Sequence, residues 1–391
     1  MIFQNGKFSK TSPVNNVSDK TTHAVDCLII GAGMAGASAA ASMSGHCKVA
    51  ILEREAQAGY HSTGRSAALY SALYGNAVVR ALTRASLGFF QQATEPPLLR
   101  PRDTLFLIGA GQEAAAEAFA ADADIRAHTR ALSADQVIAR VPILQRGQVS
   151  GALLDAASAD IEVDLLHQGF LRQARANGAQ VHLGAPLLGL ERESGDWLVR
   201  TPQAVFRAPV VVNAAGAWAD EVATVAGIAP LGLQPMRRTA VLIDVPQGLD
   251  ASSWPAVIAV DESQYFKPDA GVLLISPADE TPSPPCDAQP DEYDVAVAVD
   301  RFETLTGQTV RRVRHQWAGL RVFSPDRTPV LGFEPTAPGF FWCAGQGGYG
   351  IQTAPAMGWA AAALVLGRTL PADLLALGVE QRQLSPARFR N

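Results

Sequence analysis

VDCLIIGAGMAGASAAASMSGHCKVAILEREAQAGYHSTGRSAA, residues 25–68, is the stretch that decides the fold. Its apolar run Cys27–Ile30 ends in Gly31-Ala32-Gly33-Met34-Ala35-Gly36 and continues as an alanine-rich segment, so three glycines fall at a strand-to-helix turn. Gly31 permits the tight turn, Gly33 lets the backbone approach a pyrophosphate, and Gly36 allows the helix to pack closely on the strand. The helix that begins at Met34 and Ala35 offers free N–H groups to a phosphate anion. A second apolar run, Val49–Leu52, delivers Glu53 twenty-two positions after Gly31, with Arg54 beside it. An acid at that spacing accepts the ribose hydroxyls of an adenosine.

The fingerprint alone does not separate NAD from FAD, because both share the adenosine diphosphate half. The next segment, Gly59 to Ala68, favours the longer cofactor. Ser62, Thr63, Arg65 and Ser66 carry donors for a second phosphate and its linker, among the small residues Gly64, Ala67 and Ala68. Read without that context, the same residues make a polar surface loop.

The chain resembles the D-amino-acid-oxidase-like family of FAD-dependent oxidoreductases, which also holds glycine oxidase, sarcosine oxidase and bacterial D-amino acid dehydrogenases. The resemblance runs over residues 24 to 390. It is closest in phrasing to the bacterial D-arginine dehydrogenase group, through EREAQAGYHSTGRSAA, VNAAGAWAD, GLQPMRR, FKPDAG, QWAGLR and QGGYGIQT. It implies FAD as cofactor, held non-covalently: Cys343 and His61 lie in segments where attachment is conceivable, but match no attachment motif.

Composition agrees. A chain of 391 residues exceeds one ordinary core and suggests two domains. With 48% hydrophobic and 18% charged residues it is of the compact globular class. A net charge of −5 without a Lys/Arg cluster argues against nucleic acid as a partner. Apolar stretches such as Trp359–Leu366 are too short to span a bilayer. Cys27, Cys47, Cys286 and Cys343 form no CxxC pair, so neither zinc nor a disulfide framework is indicated. The expected location is the cytoplasm, or the membrane periphery where an electron acceptor such as a quinone resides there.

The expected fold is α/β (α+β overall): a Rossmann-like FAD-binding domain of discontinuous sequence with a β-sheet-based substrate-binding domain. Residues 1–23, which hold three of the five lysines among Asn, Ser and Thr, read as a disordered extension. Residues 24–80, 151–230 and 322–391 are assigned to the FAD-binding domain, 81–150 and 231–321 to the substrate-binding domain. Periodicity predicts a helix over Asp164–Asn177 with Gly178 as its cap, and helical alanine runs near Glu113–Ala121. Strands are expected at 181–183, 197–200, 210–212, 239–243 and 256–260.

Two further glycine-rich turns bear on the cofactor. Asn213 to Trp218, with Ala214 and Gly216, either approaches the cofactor from the sheet edge, as the resemblance implies, or simply opens a helix. Gly347-Gly348-Tyr349-Gly350-Ile351-Gln352 follows an apolar run and feeds a helix of small residues. Its N–H donors suit the O2 side of an isoalloxazine, though spacing alone would also allow a phosphate or a plain helix cap.

The resemblance also implies the substrate site. Arg238 and Arg321 match two arginines that grip a carboxylate through paired N–H bonds. Tyr74 and Tyr265 match hydroxyls that assist on the carboxylate side and cover the site. Gln352 and the Gly348 backbone are expected near the amine or the flavin edge. The implied chemistry is hydride transfer from the α-carbon of a D-amino acid to flavin N5, giving an imino acid that hydrolyses to a 2-oxo acid and ammonia. No general base is nominated. The chain departs from the arginine-specific group at Leu69 and Thr104, which stand where polar anchors for a guanidinium are expected, and Ala256 and Ile258 add apolar lining. Burying a cation there unpaired would cost several kcal/mol, so apolar or aromatic D-amino acids are expected to be preferred. Asp103, one residue from Thr104, could restore the acid. An oxygen-using oxidase of the glycine or sarcosine type and a non-catalytic flavoprotein that senses a carboxylate are the alternatives.

Overall fold

A computed structural model describes residues 21–92 and 94–390. The apolar runs become strands of a six-stranded sheet ordered Gln180–His182, Val49–Leu52, Cys27–Ile30, Val210–Asn213, Phe340–Ala344 and Val330–Phe333. Pairing is parallel throughout, apart from the last strand. These strands read as continuous apolar runs because both sheet faces are covered. Ile29, Ile51, Val212 and Phe341 pack on helices Met34–Met43, Val163–Ala176 and Ala354–Val365. Their neighbours Leu28, Ile30, Leu52, Val211 and Trp342 face Trp197, Val199 and Phe206 of a four-stranded sheet on the other side. The result is three layers with the glycine turn at the carboxyl ends of the parallel strands, the usual ligand position in such sheets.

A larger sheet, with Gln234–Ile243 and Val313–Phe323 as its longest paired strands, stands over that edge and holds its own core of Leu105, Val257, Phe266, Ile275 and Phe302. The expected α/β fold class, a Rossmann-like half with a sheet-based half, is the architecture observed. Individual elements also fall where periodicity placed them. The helix expected at 164–177 spans Val163–Ala176, followed by Gly178 at φ +89°, and the alanine run forms helix Glu113–Ala121.

Three boundaries differ from expectation. Of the extension assigned to residues 1–23, positions 1–20 lie outside the described residues, but Thr22–Ala24 form a strand paired in parallel with Val205–Ala208, and His23 stacks on Phe206. Helix Ala77–Phe90 runs into the stretch given to the substrate-binding domain, yet Ala81, Leu82 and Phe90 pack into the core beneath the cofactor-side helices. Strand Val149–Asp155, by contrast, pairs with Thr104–Gly109 in the large sheet, beyond the boundary set at 150. Amphipathic periodicity records that a face is buried but not against which partner. Among the described residues no helix is long and apolar enough to cross a membrane.

Candidate active site

At the glycine turn, Gly31 has φ +103°, and a Cβ there would lie 2.4 Å from the carbonyl oxygen of Ala214. A Cβ on Gly36 would lie 1.9 Å from the Gly31 oxygen, so the helix sits directly against the turn. Gly33 is different: a Cβ would meet just the Thr63 hydroxyl, at 3.4 Å, because the residue borders an open cavity. Glu53 is buried at the strand end. Its Oε2 accepts the Ala32 N–H at 2.9 Å and its Oε1 accepts the Glu55 N–H at 3.0 Å. Each oxygen keeps a lone pair for a ribose hydroxyl. The Arg54 guanidinium lies 4.6 Å above the Trp218 ring, a wall at the same end of the cavity.

The polar segment after Glu53 behaves differently from expectation. The Ser62 hydroxyl donates to the Leu320 carbonyl at 2.7 Å. Arg65 donates to the carbonyls of Ala288 (2.7 Å) and Ala318 (3.1 Å) and pairs with Asp287, its stem lying where Gly319 has no side chain. These two donors, expected on a second phosphate, instead tie the segment to the large sheet. Thr63 Oγ1 accepts the Met34 N–H at 2.9 Å at the helix start. Of this segment Gly64 is off the cavity wall: its N–H closes a turn onto the Gly59 oxygen at 2.8 Å. Ser62, Thr63, Arg65, Ser66, Ala67 and Ala68 line the cavity, as do Met34, Ala35, Ala214 and Gly216.

The cavity, about 730 Å3, runs from this turn to the large sheet. Gly347 to Gln352 form its far wall, with Arg238, Arg321, Tyr74 and Tyr265 beyond. The arginines meet through register. Arg321 stands opposite Met236, and Arg238 lies two residues along the same antiparallel strand, so both side chains share one face as diagonal neighbours. Burial and the adjacent Arg238 charge hold the Arg321 pKa below its ordinary value. Glu280, which sequence reasoning missed, ties the pair together: its Oε1 accepts from Arg321 at 3.2 Å and Arg238 at 3.4 Å, and Arg327 adds contacts of 2.9 Å to both oxygens. Burial pushes the Tyr74 hydroxyl pKa up, with the Glu262 charge adding to it, and burial raises that of Tyr349. These phenols are therefore held as proton donors beside the arginines.

Leu69 is fixed by a short strand paired with Asp160. Ile258 stands opposite Tyr265, and Leu69, Ala256 and Ile258 all line the cavity. Thr104 does not: it is wholly buried, on the sheet face that carries Phe106, with its hydroxyl unpartnered. Its expected place in the pocket is corrected accordingly, and Asp103 is absent from the wall as well. The acid that does line it is Glu262, exposed at a hairpin tip with φ +56°. Lys267 also lines it, its Nζ bonded to Asp160 at 2.7 Å. Neither residue carried a signal in the sequence beyond a charge in a strand-forming region. His167, on the apolar face of its helix, donates from Nε2 to the Ala32 carbonyl at 2.8 Å; burial lowers its pKa, keeping it neutral there.

A parallel sheet with a glycine turn, a ribose-accepting acid and a long cavity ending at paired arginines defines a dinucleotide-dependent enzyme of the flavin type. The sequence model of the family "FAD dependent oxidoreductase" (DAO) matches residues 26–364, and the chain belongs to that family. FAD is its cofactor. The Gly31 turn, the Glu53 lone pairs and the unpartnered Gln352 amide nitrogen on the far wall fit such a group. Hydrogen cyanide synthase subunit HcnC of Pseudomonas aeruginosa is 28% identical over 57% of this chain and 52% of that protein. The FAD-dependent oxidoreductase domain-containing protein 1 of Bos taurus is 31% identical over 40% of this chain and 35% of that protein. The chain thus matches roughly a third to a half of the length of these curated relatives. Glycine oxidase from Geobacillus kaustophilus shares the fold with a TM-score of 0.77, at 22% identity over 91% of this chain and 98% of that one.

Proposed function

We propose that the protein oxidises D-amino acids to imino acids, which water converts to 2-oxo acids and ammonia. The carrying observation is the Arg238 and Arg321 pair on one sheet face at the far end of the cofactor cavity. Their guanidiniums receive the substrate carboxylate, and the phenol of Tyr74, held protonated by burial, donates alongside with the Tyr265 hydroxyl. Holding the carboxylate fixes the α-carbon and its hydrogen against the cofactor at low rotational cost. Bound FAD supplies the two-electron acceptor for the hydride that leaves the α-carbon. Several relatives whose names state a substrate support an amine or amino acid donor: glycine oxidase, dimethylglycine dehydrogenase and, by fold, iminodiacetate oxidase and L-proline dehydrogenase, although L-alpha-glycerophosphate oxidase shares the fold with a different donor.

The side chain of the substrate meets Leu69, Ala256 and Ile258, backed by Leu73 and Phe106. Each methylene buried there gains about 0.8 kcal/mol. Glu262 is solvent-exposed, so a cationic end reaching it would gain little in water. Apolar and aromatic D-amino acids are therefore preferred over D-arginine. Electrons pass on to a carrier such as a quinone rather than to oxygen, with the protein in the cytoplasm or at the membrane periphery.

The test is anaerobic mixing of the yellow protein with D- and L-amino acids, followed by steady-state kinetics with oxygen or an artificial dye. Bleaching by D-leucine, D-methionine or D-phenylalanine, with a higher kcat/KM than for D-arginine, is the expected result. Bleaching by L-isomers alone overturns the stereochemistry, and no bleaching by any amino acid overturns the reaction. Faster turnover with oxygen than with dye overturns the dehydrogenase reading.

A further inference from the structure

The side-chain amide of Gln352 is nearly fully buried on the cavity wall, just before helix Ala354–Val365. Its Oε1 accepts the backbone N–H of Ser71 at 3.1 Å. A backbone N–H can only donate, so the amide oxygen must face Ser71 and the nitrogen must face away from it. That nitrogen, Nε2, is buried and has no hydrogen-bond partner among the described residues. A buried amide donor left unmatched costs about 1–3 kcal/mol, so its orientation has to be imposed.

The restraint comes from the large sheet. The Ser71 hydroxyl, wholly buried, donates to Asp155 Oδ2 at 2.7 Å and accepts the Leu73 N–H at 3.3 Å. The other carboxylate oxygen of Asp155 accepts the Ala157 N–H at 3.0 Å. Asp155 thus anchors the Ser71 turn to the end of strand Val149–Asp155, and that turn presents its N–H to Gln352. Tyr74 follows on the same turn, its N–H reaching back to the Ser71 carbonyl.

We propose that Gln352 is a donor-only contact for a hydrogen-bond acceptor of the bound ligand, and that Ser71 and Asp155 are its positioning residues. With the oxygen turned to the Ser71 N–H, the group left to meet a ligand is the nitrogen, which donates hydrogen bonds and accepts none. The acceptor is either an oxygen of the substrate carboxylate or the carbonyl edge of the flavin ring system. Both carry negative charge that an N–H stabilises.

Two readouts that need no turnover separate the sources and stand apart from the D-amino acid reading. One is the dissociation constant of benzoate, followed through the flavin absorbance; the other is the midpoint potential of the holoprotein. Gln352→Leu is expected to weaken one of them about tenfold, the loss of one hydrogen bond to a charged group. For the potential, tenfold in a two-electron couple is about 30 mV, in the negative direction. A benzoate effect at constant potential assigns the carboxylate; a potential shift at constant benzoate affinity assigns the flavin. Ser71→Ala and Asp155→Ala should show the same signature at smaller size, and Ser71→Thr, which keeps the hydroxyl, should restore it. Both readouts within twofold of wild type in Gln352→Leu overturn the contact. If Ser71→Ala lowers Tm while both readouts stay at wild type, the positioning role is overturned; where it fails to hold flavin, Asp155→Ala judged against Ser71→Thr decides the point by the same criteria.

Discussion

The two ends of the cavity are built on different principles. At the glycine turn the groups left for the cofactor are backbone N–H donors at Gly33 and Ala35, since the Leu52 carbonyl takes that of Gly31, Glu53 that of Ala32 and Thr63 that of Met34. At the large sheet the groups are side chains from separated strands, Arg238 and Arg321, brought together by strand register. A backbone site depends on the absence of Cβ atoms and fails when one is added. A side-chain site depends on neighbours that hold a guanidinium in place, and it weakens step by step as those neighbours change.

The sharpest way to break this contrast is Gly31→Val. A Cβ 2.4 Å from the Ala214 oxygen at φ +103° cannot be accommodated without moving backbone. Loss of the flavin and of several degrees of Tm is expected; a protein that purifies fully yellow would refute the backbone reading. At the other end, Arg321→Met should keep the flavin while kcat/KM falls about a hundredfold, the loss of charge-assisted hydrogen bonds to a carboxylate. Retained activity with unchanged KM would show that the carboxylate sits elsewhere.

Gly348→Ala tests whether the two principles meet. A Cβ there would lie 1.8 Å from Arg321 Nη2, the far end of a flexible side chain, so the arginine shifts rather than the fold. KM should rise about tenfold with the absorbance spectrum of the flavin kept, the scale of one imperfect hydrogen bond. Smaller again is Glu262→Gln, which removes the one carboxylate on the pocket's rim that lies nearest Tyr74 and Tyr349. Turnover of D-glutamate should improve a few-fold relative to D-leucine, since an exposed charge acts weakly.

His167 is neutral and its pKa is lowered by burial, so the unfolded chain binds its proton more readily than the folded one. Its contribution is therefore fully present above the ordinary histidine pKa and is lost as pH falls through and below that value. Replacing it by Gln, which can still donate to the Ala32 carbonyl, should narrow the difference in Tm between about pH 7.5 and about pH 5.5. An unchanged difference would exclude His167 as a source of acid sensitivity.

Legibility in the sequence followed the same division. The Gly31 turn and Glu53 could be read directly, because strand, glycines, helix and acid follow one another along the chain. Ser62 and Arg65 line the cavity as expected, but a hydroxyl and a guanidinium have no sequence mark for which acceptor they meet, and strand carbonyls at Leu320 and Ala318 receive their donors. Thr104 was placed on the pocket by phrase, yet it is enclosed within the sheet, and the acid that lines the wall, Glu262, sits on a hairpin tip far along the chain. Glu280 and the Ser71 to Asp155 link could not be read at all, since each joins residues tens of positions or more apart by a side-chain contact.

The sequence by itself determined the dinucleotide-binding half, because that rests on short-range backbone geometry encoded by glycines and apolar runs, and its resemblance to a family of FAD-dependent oxidoreductases implied FAD. The tertiary structure decided what the far end of the cavity presents: two arginines sharing one face, an apolar wall at Leu69 and Ile258, and an amide turned to show its donors. Those features depend on register and packing between distant strands, which local periodicity does not carry.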